Sequence, residues 1–91
     1  MRNITFDEVW GRIINKQGQL FYTVTGLEFK FIVEGEYIIT TRTTFRLHKK
    51  EFEKAFKYVP ISGPSYISKF VRGPAYVWAI LHDKRISQGE W

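Results

Sequence analysis

No cysteine occurs among the 91 residues, so disulfides and thiolate metal sites are excluded. No apolar run approaches the roughly 18 residues that span a membrane. The opening segment, Met1-Arg2-Asn3-Ile4-Thr5-Phe6-Asp7-Glu8, lacks the long apolar stretch of a secretory signal. A soluble, cytoplasmic protein is expected. Histidine is scarce too: only His48 and His82, with no His or carboxylate spaced to build a metal site around either. No glycine-rich phosphate loop of Walker or dinucleotide type is present. No metal and no cofactor is therefore expected.

What the chain does hold is aromatic and basic. It carries eight Phe, five Tyr and three Trp, enough for a folded core rather than a disordered chain. A chain of this length has a modest core, and some rings are surplus to it, leaving room for a homodimer or partner face. The net charge is +5 and unevenly spread. Residues 1–36 hold four basic and five acidic side chains; residues 37–91 hold ten and four. Such asymmetry points to a polyanionic partner, most often nucleic acid.

Hydrophobic spacing organises the chain as one α+β domain. Thr5-Phe6-Asp7-Glu8 reads as a capping box, and Phe6, Val9, Trp10, Ile13 and Ile14 then recur at helical spacing. This first helix should end near Lys16. Three strands are predicted next: Leu20–Thr25, Leu27/Glu28–Glu34 and Tyr37–Arg46, joined by short Gly-containing turns as an antiparallel meander. In the second, Leu27, Phe29, Phe31 and Val33 point inward. In the third, Tyr37, Ile39, Thr41, Thr43 and Phe45 are assigned to the core. The other parity, Ile38, Thr40, Arg42, Thr44 and Arg46, would then present a Thr/Arg surface.

A second helix is predicted from about Lys49 to Tyr58, with Lys50, Lys54 and Lys57 opposite its apolar stripe. Pro60 ends it. Gly63-Pro64-Ser65-Tyr66-Ile67 is then echoed by Gly73-Pro74-Ala75-Tyr76-Val77. Proline suits the first helical position, so each copy is read as a helix start, giving helices Pro64–Val71 and Pro74–His82. Asp83–Trp91 reads as a polar, loose tail, with Ile86 as a tie. The predicted fold is α+β, a three-stranded antiparallel β-meander packed against helices in the order α-β-β-β-α-α-α.

Catalysis has few candidates. His48, His82, Asp83, Tyr76 and Arg72 are the side chains that a metal-free ribonuclease would need for acid, base and charge stabilisation. The blander assignment is preferred: His48 as a helix N-cap, and His82 as a partly charged ring complementing a helix C-terminus. No catalytic residue is assigned. Ala75–Leu81 is apolar on every side, which marks a buried helix and argues against a groove-inserting helix-turn-helix. The expected function is non-catalytic binding of DNA or RNA. Phosphates would be met by Arg42, Arg46, Lys49, Lys50, Lys54, Lys57, Lys69 and Arg72, helped by the helix N-termini at Gly63-Pro64 and Gly73-Pro74. Base stacking on Tyr22, Tyr37, Tyr58, Tyr66 or Tyr76 is a subsidiary mode. The alternative is a protein-interaction or homo-oligomeric module. A small metal-independent nuclease or toxin is third.

Overall fold

The computed structural model describes residues 4–91. Helix α1, Phe6–Asn15, starts where the cap was expected: the Thr5 hydroxyl accepts the Glu8 amide at 3.3 Å. Val9, Trp10 and Ile13 form its buried stripe. Trp10 lies edge-on to Phe52 at 5.9 Å, and Phe6 meets Phe56 at 5.7 Å. Aromatic contacts of this kind tie α1 to helix α2, Lys49–Phe56.

Two small antiparallel sheets replace the three-stranded meander of the prediction. Strands β1, Phe21–Tyr22, and β2, Glu28–Phe29, form the first. Strands β3, Phe31–Glu34, β4, Tyr37–Thr40, and β5, Leu47–His48, form the second in that order. The predicted second strand is split at Lys30, whose backbone leaves the ladder to pair with Thr41. The Lys30 amide donates to Thr41 Oγ1 at 3.0 Å, and the Thr41 amide to the Lys30 carbonyl at 2.9 Å. Leu27, expected inside, is about half exposed, because its amide closes a turn onto the Thr23 hydroxyl.

The predicted third strand also breaks, and its parity is reversed. Pairing of Phe31 with Thr40 and of Val33 with Ile38 puts Ile38 and Thr40 on the inner face beside buried Phe31. After Thr40 the hydroxyls capture the backbone. Thr40 Oγ1 accepts the Arg42 amide at 3.3 Å and lies 3.0 Å from Thr43 Oγ1, while Thr43 donates to the Phe45 carbonyl at 3.0 Å. The chain turns and returns as β5. No Thr/Arg strand face survives: Thr40 is buried, and Arg42 and Arg46 stand in and after a turn.

The two Gly-Pro copies part company. Pro64–Tyr66 is a single 3-10 turn, not a helix running to Val71. Gly73-Pro74 does open a helix, α3, Pro74–Leu81. The glycines differ accordingly. Gly63 is extended, whereas Gly73 is left-handed at φ 62°, and a Cβ there would fall 2.6 Å from Leu47 Cδ2. Both the dihedral and the space demand glycine. Gly73→Ala is expected to destabilise the fold by about 1–3 kcal/mol, read as a lowered urea midpoint with an unchanged m-value.

The C-terminal segment is docked rather than loose. Lys84–Ser87 form a short helix, α4, capped by Asp83, and Ile86 is fully buried. Arg12 donates to the Ile86 carbonyl at 2.8 Å and pairs with Glu90. Trp91 sits edge-on to Phe56 at 5.3 Å and donates from Nε1 to the Leu81 carbonyl at 2.8 Å. Polar composition concealed this, because the ties are a few long-range contacts rather than a periodic stripe. The whole is an α+β globule: helix, two antiparallel sheets, then three helices.

Candidate nucleic-acid interface

Helix α2 with its C-cap, Lys57, carries half of the predicted site. His48 caps it, its Nδ1 accepting the Lys50 amide at 3.0 Å. Phe52, Ala55 and Phe56 are buried, so 3.6-residue geometry turns Lys50, Lys54 and Lys57 outward together, and all three are exposed. Among the described residues the side chains of Lys50 and Lys57 have no hydrogen-bond or ion-pair partner. Lys54 bridges outward: its ammonium donates to the Phe70 carbonyl at 2.8 Å and lies 3.1 Å from the Glu51 carboxylate. Glu51 also accepts the Arg72 amide at 2.9 Å. One acidic side chain thus staples Lys54 to the segment carrying Lys69, Phe70 and Arg72.

Lys69 is exposed and unpaired among the described residues. The Arg72 guanidinium lies over the Phe45 ring at 4.5 Å. These groups gather Lys50, Lys54, Lys57 and Arg72 around α2, with Lys69 on the adjoining turn. Among the described residues no side-chain hydrogen bond or ion pair ties the remaining three candidates to this group. Lys49 is half-buried, its ammonium 5.6 Å from the Trp10 ring on the α1 side. Arg46 lies 4.3 Å over Tyr37, whose ring meets His48 edge-on at 4.9 Å. Arg42 is exposed in the turn after β4.

The helix N-termini offer less than the sequence suggested. At α3 the Tyr76 and Val77 amides both bond the Gly73 carbonyl, and Pro74 has no N–H, leaving only the Ala75 amide. At the 3-10 turn the Tyr66 and Ile67 amides are likewise taken, by Gly63 and Pro64. No paired anion cradle results, since too few donors remain.

Beside the lysine face lies a groove that sequence reasoning did not assemble. Tyr58, Pro60, Ile61, Ser62, Tyr66, Ile67 and Phe70 line about 290 Å³. Its rim is aromatic and open: Tyr66 is 71% exposed, Tyr58 61% and Phe70 39%. Phe70 belongs to the predicted helix Pro64–Val71, of which only Pro64–Tyr66 forms a helical turn, and its ring stands at the rim. The Tyr58 and Phe70 rings lie 5.2 Å apart, so one wall is a ready-made ring pair.

The groove floor is clamped from below. The Ile61 amide donates to His82 Nε2 at 2.9 Å, and Trp78 Nε1 donates to the Ile61 carbonyl at 2.8 Å. The two rings stack at 4.9 Å. Since Nε2 accepts, Nδ1 carries the proton and donates to the Trp78 carbonyl at 3.1 Å. Burial pushes the His82 pKa below its ordinary value, and the Trp78 bond opposes this only in part. His82 is therefore a neutral clamp, not the partly charged dipole partner of the sequence reading.

The pH consequence has a definite sign. A folded-state pKa below the unfolded one gives stability that is complete above about pH 6.5 and lost as pH falls through the folded value. Asp83 stays ionised across this window: burial would raise its pKa, but the Arg85 hydrogen bonds and charge outweigh that and hold it low. The melting temperature is expected to fall between pH 7.5 and 5, and His82→Gln to flatten that slope. An equal slope in the variant refutes the clamp's titration.

Two further cations are structural. Arg12 is held at Glu90 and Ile86. Arg85 binds Asp83 and the Leu20 carbonyl while lying 4.0 Å over Phe21. Neither was placed in the predicted site. Among the described residues no cluster of three His, Asp or Glu is arranged to hold a metal, and no helix is long and apolar enough to cross a membrane. Comparison with protein-family models, with curated proteins and with solved structures finds no match to this chain.

Proposed function

We propose that this protein binds nucleic acid without cleaving it, holding the phosphate backbone on the outer face of α2 and the adjoining Lys69–Arg72 segment. The observation that carries this reading is the set of exposed, unpaired ammonium groups of Lys50, Lys57 and Lys69 close to Lys54 and Arg72. Exposed lysines with nearby counter-charges are ordinary surface; lysines left without carboxylate partners keep their charge for a polyanion. Arg42, Arg46 and Lys49 belong to this proposal only as flanking contacts.

Both imidazoles hold backbone amides, which favours binding over hydrolysis: His48 caps α2 and His82 grips Ile61. The test is affinity for DNA and RNA, each single- and double-stranded, across a salt titration. A backbone binder gives log K falling linearly with log salt, by roughly 0.7–0.9 per phosphate neutralised. Salt-independent binding, or none at low salt, overturns the reading. A concentration-dependent dimer in sedimentation, with no oligonucleotide bound, would favour the protein-interaction alternative instead.

A further inference from the structure

We propose that the Tyr58–Tyr66–Phe70 groove takes an unpaired base, which makes the ligand single-stranded nucleic acid. This rests on the reading of α2 as a phosphate-binding face and extends it to a ligand class. Four observations carry it.

The groove is lined by two tyrosines and a phenylalanine whose rings reach solvent, and by no acidic residue. Cations adjoin it on both walls: Lys57 precedes Tyr58, Lys69 precedes Phe70, and the Lys54 ammonium sits 2.8 Å from the Phe70 carbonyl. At about 290 Å³ it lies at the small end of ligand pockets, of the order of 300 Å³, which suits one planar ring system. Its floor is fixed, because Ile61 and Ile67 are buried and the Ile61 peptide is clamped by Trp78 and His82.

Aromatic faces flanked by cations are the means by which single strands are held without sequence preference: rings stack on bases while ammonium groups track phosphates. A duplex keeps its bases stacked on each other and offers nothing to Tyr66. A proline-rich peptide also suits aromatic grooves, but gains nothing from the flanking lysines.

The experiment compares wild type, Tyr66→Ala and Tyr66→Trp against three probes: oligothymidylate, an abasic strand of equal length and a duplex. Tyr66 is mostly solvent-exposed, so its truncation leaves the core intact. Wild type should prefer oligothymidylate to both other probes. Tyr66→Ala should weaken oligothymidylate roughly 5- to 150-fold, the range that loss of one base–ring stack covers, without changing the salt slope. Tyr66→Trp should retain binding.

Equal affinity of wild type for oligothymidylate and the abasic strand overturns the groove proposal while leaving the phosphate face standing. So does an unaffected Tyr66→Ala variant. Binding of no nucleic acid, with retention of a proline-rich peptide, overturns both.

Discussion

Reversing three charges, Lys50→Glu, Lys57→Glu and Lys69→Glu together, is expected to abolish nucleic-acid binding while the protein stays folded. All three side chains are exposed and make no hydrogen bond or ion pair among the described residues, so their loss removes no native interaction. Stability should therefore move by no more than about 0.5 kcal/mol per site. Affinity should not be spared. Each lysine that neutralises a phosphate contributes about one unit to the salt slope, so any binding that persists at low salt should show a slope shallower than wild type by about three units. The triple variant must be compared with wild type at the same salt, by shift assay and by thermal melt. Full-strength binding by a folded triple variant rules out α2 as the contact face. Conversely, Arg12→Glu would be a misleading probe, because that arginine holds Ile86 and Glu90 in place.

A second large effect is expected at Ile86→Ala: a loss of about 2–5 kcal/mol, the cost of truncating a fully buried aliphatic side chain. Domains of this kind have about 5–15 kcal/mol in total, so the variant approaches the threshold of unfolding. Urea unfolding of the pair of proteins measures it directly. A loose tail, as composition suggested, would give less than about 0.5 kcal/mol. The structure argues for the larger value. The segment carrying Ile86 is held by the Arg12 bond to its carbonyl, the Arg85 guanidinium over Phe21 and the Trp91 edge on Phe56. Removal of the side chain leaves a void among groups that are otherwise fixed.

Periodic signals in the sequence were read well. The Thr5 cap, the His48 cap and the α2 lysine face are present, and so is the α1 stripe except at Ile14, which is 38% exposed. The all-apolar segment was rightly placed in the interior as α3, where Val77, Ala79, Ile80 and Leu81 are buried. The differences arise from interactions that no periodicity reveals, threonine hydroxyls taking backbone partners among them. Threonine hydroxyls ended β4 at Thr40, and the backbone pairing of Lys30 with Thr41 split the strand before it. In Pro64–Val71 the helical spacing of apolar residues was real, but only one 3-10 turn formed, so Phe70 emerged at the surface. The groove has no local signature, because its walls come from the loop after α2 and from the largely non-helical Pro64–Val71 segment. Tyr58 and Tyr66 were named as stacking candidates, yet nothing local indicated that they share one cleft with Phe70.

The Trp78–His82 grip on Ile61 has a consequence for the energetics of association. A floor already immobilised by an interior helix gives up little freedom when something settles on it, so most of the interaction free energy remains available for affinity. The same rigidity links occupancy to acidity. Once His82 takes up a second proton it can no longer accept from Ile61, and the cleft keeps only the Trp78 half of its anchorage. Complex formation should weaken as the pH falls through the lowered pKa of His82.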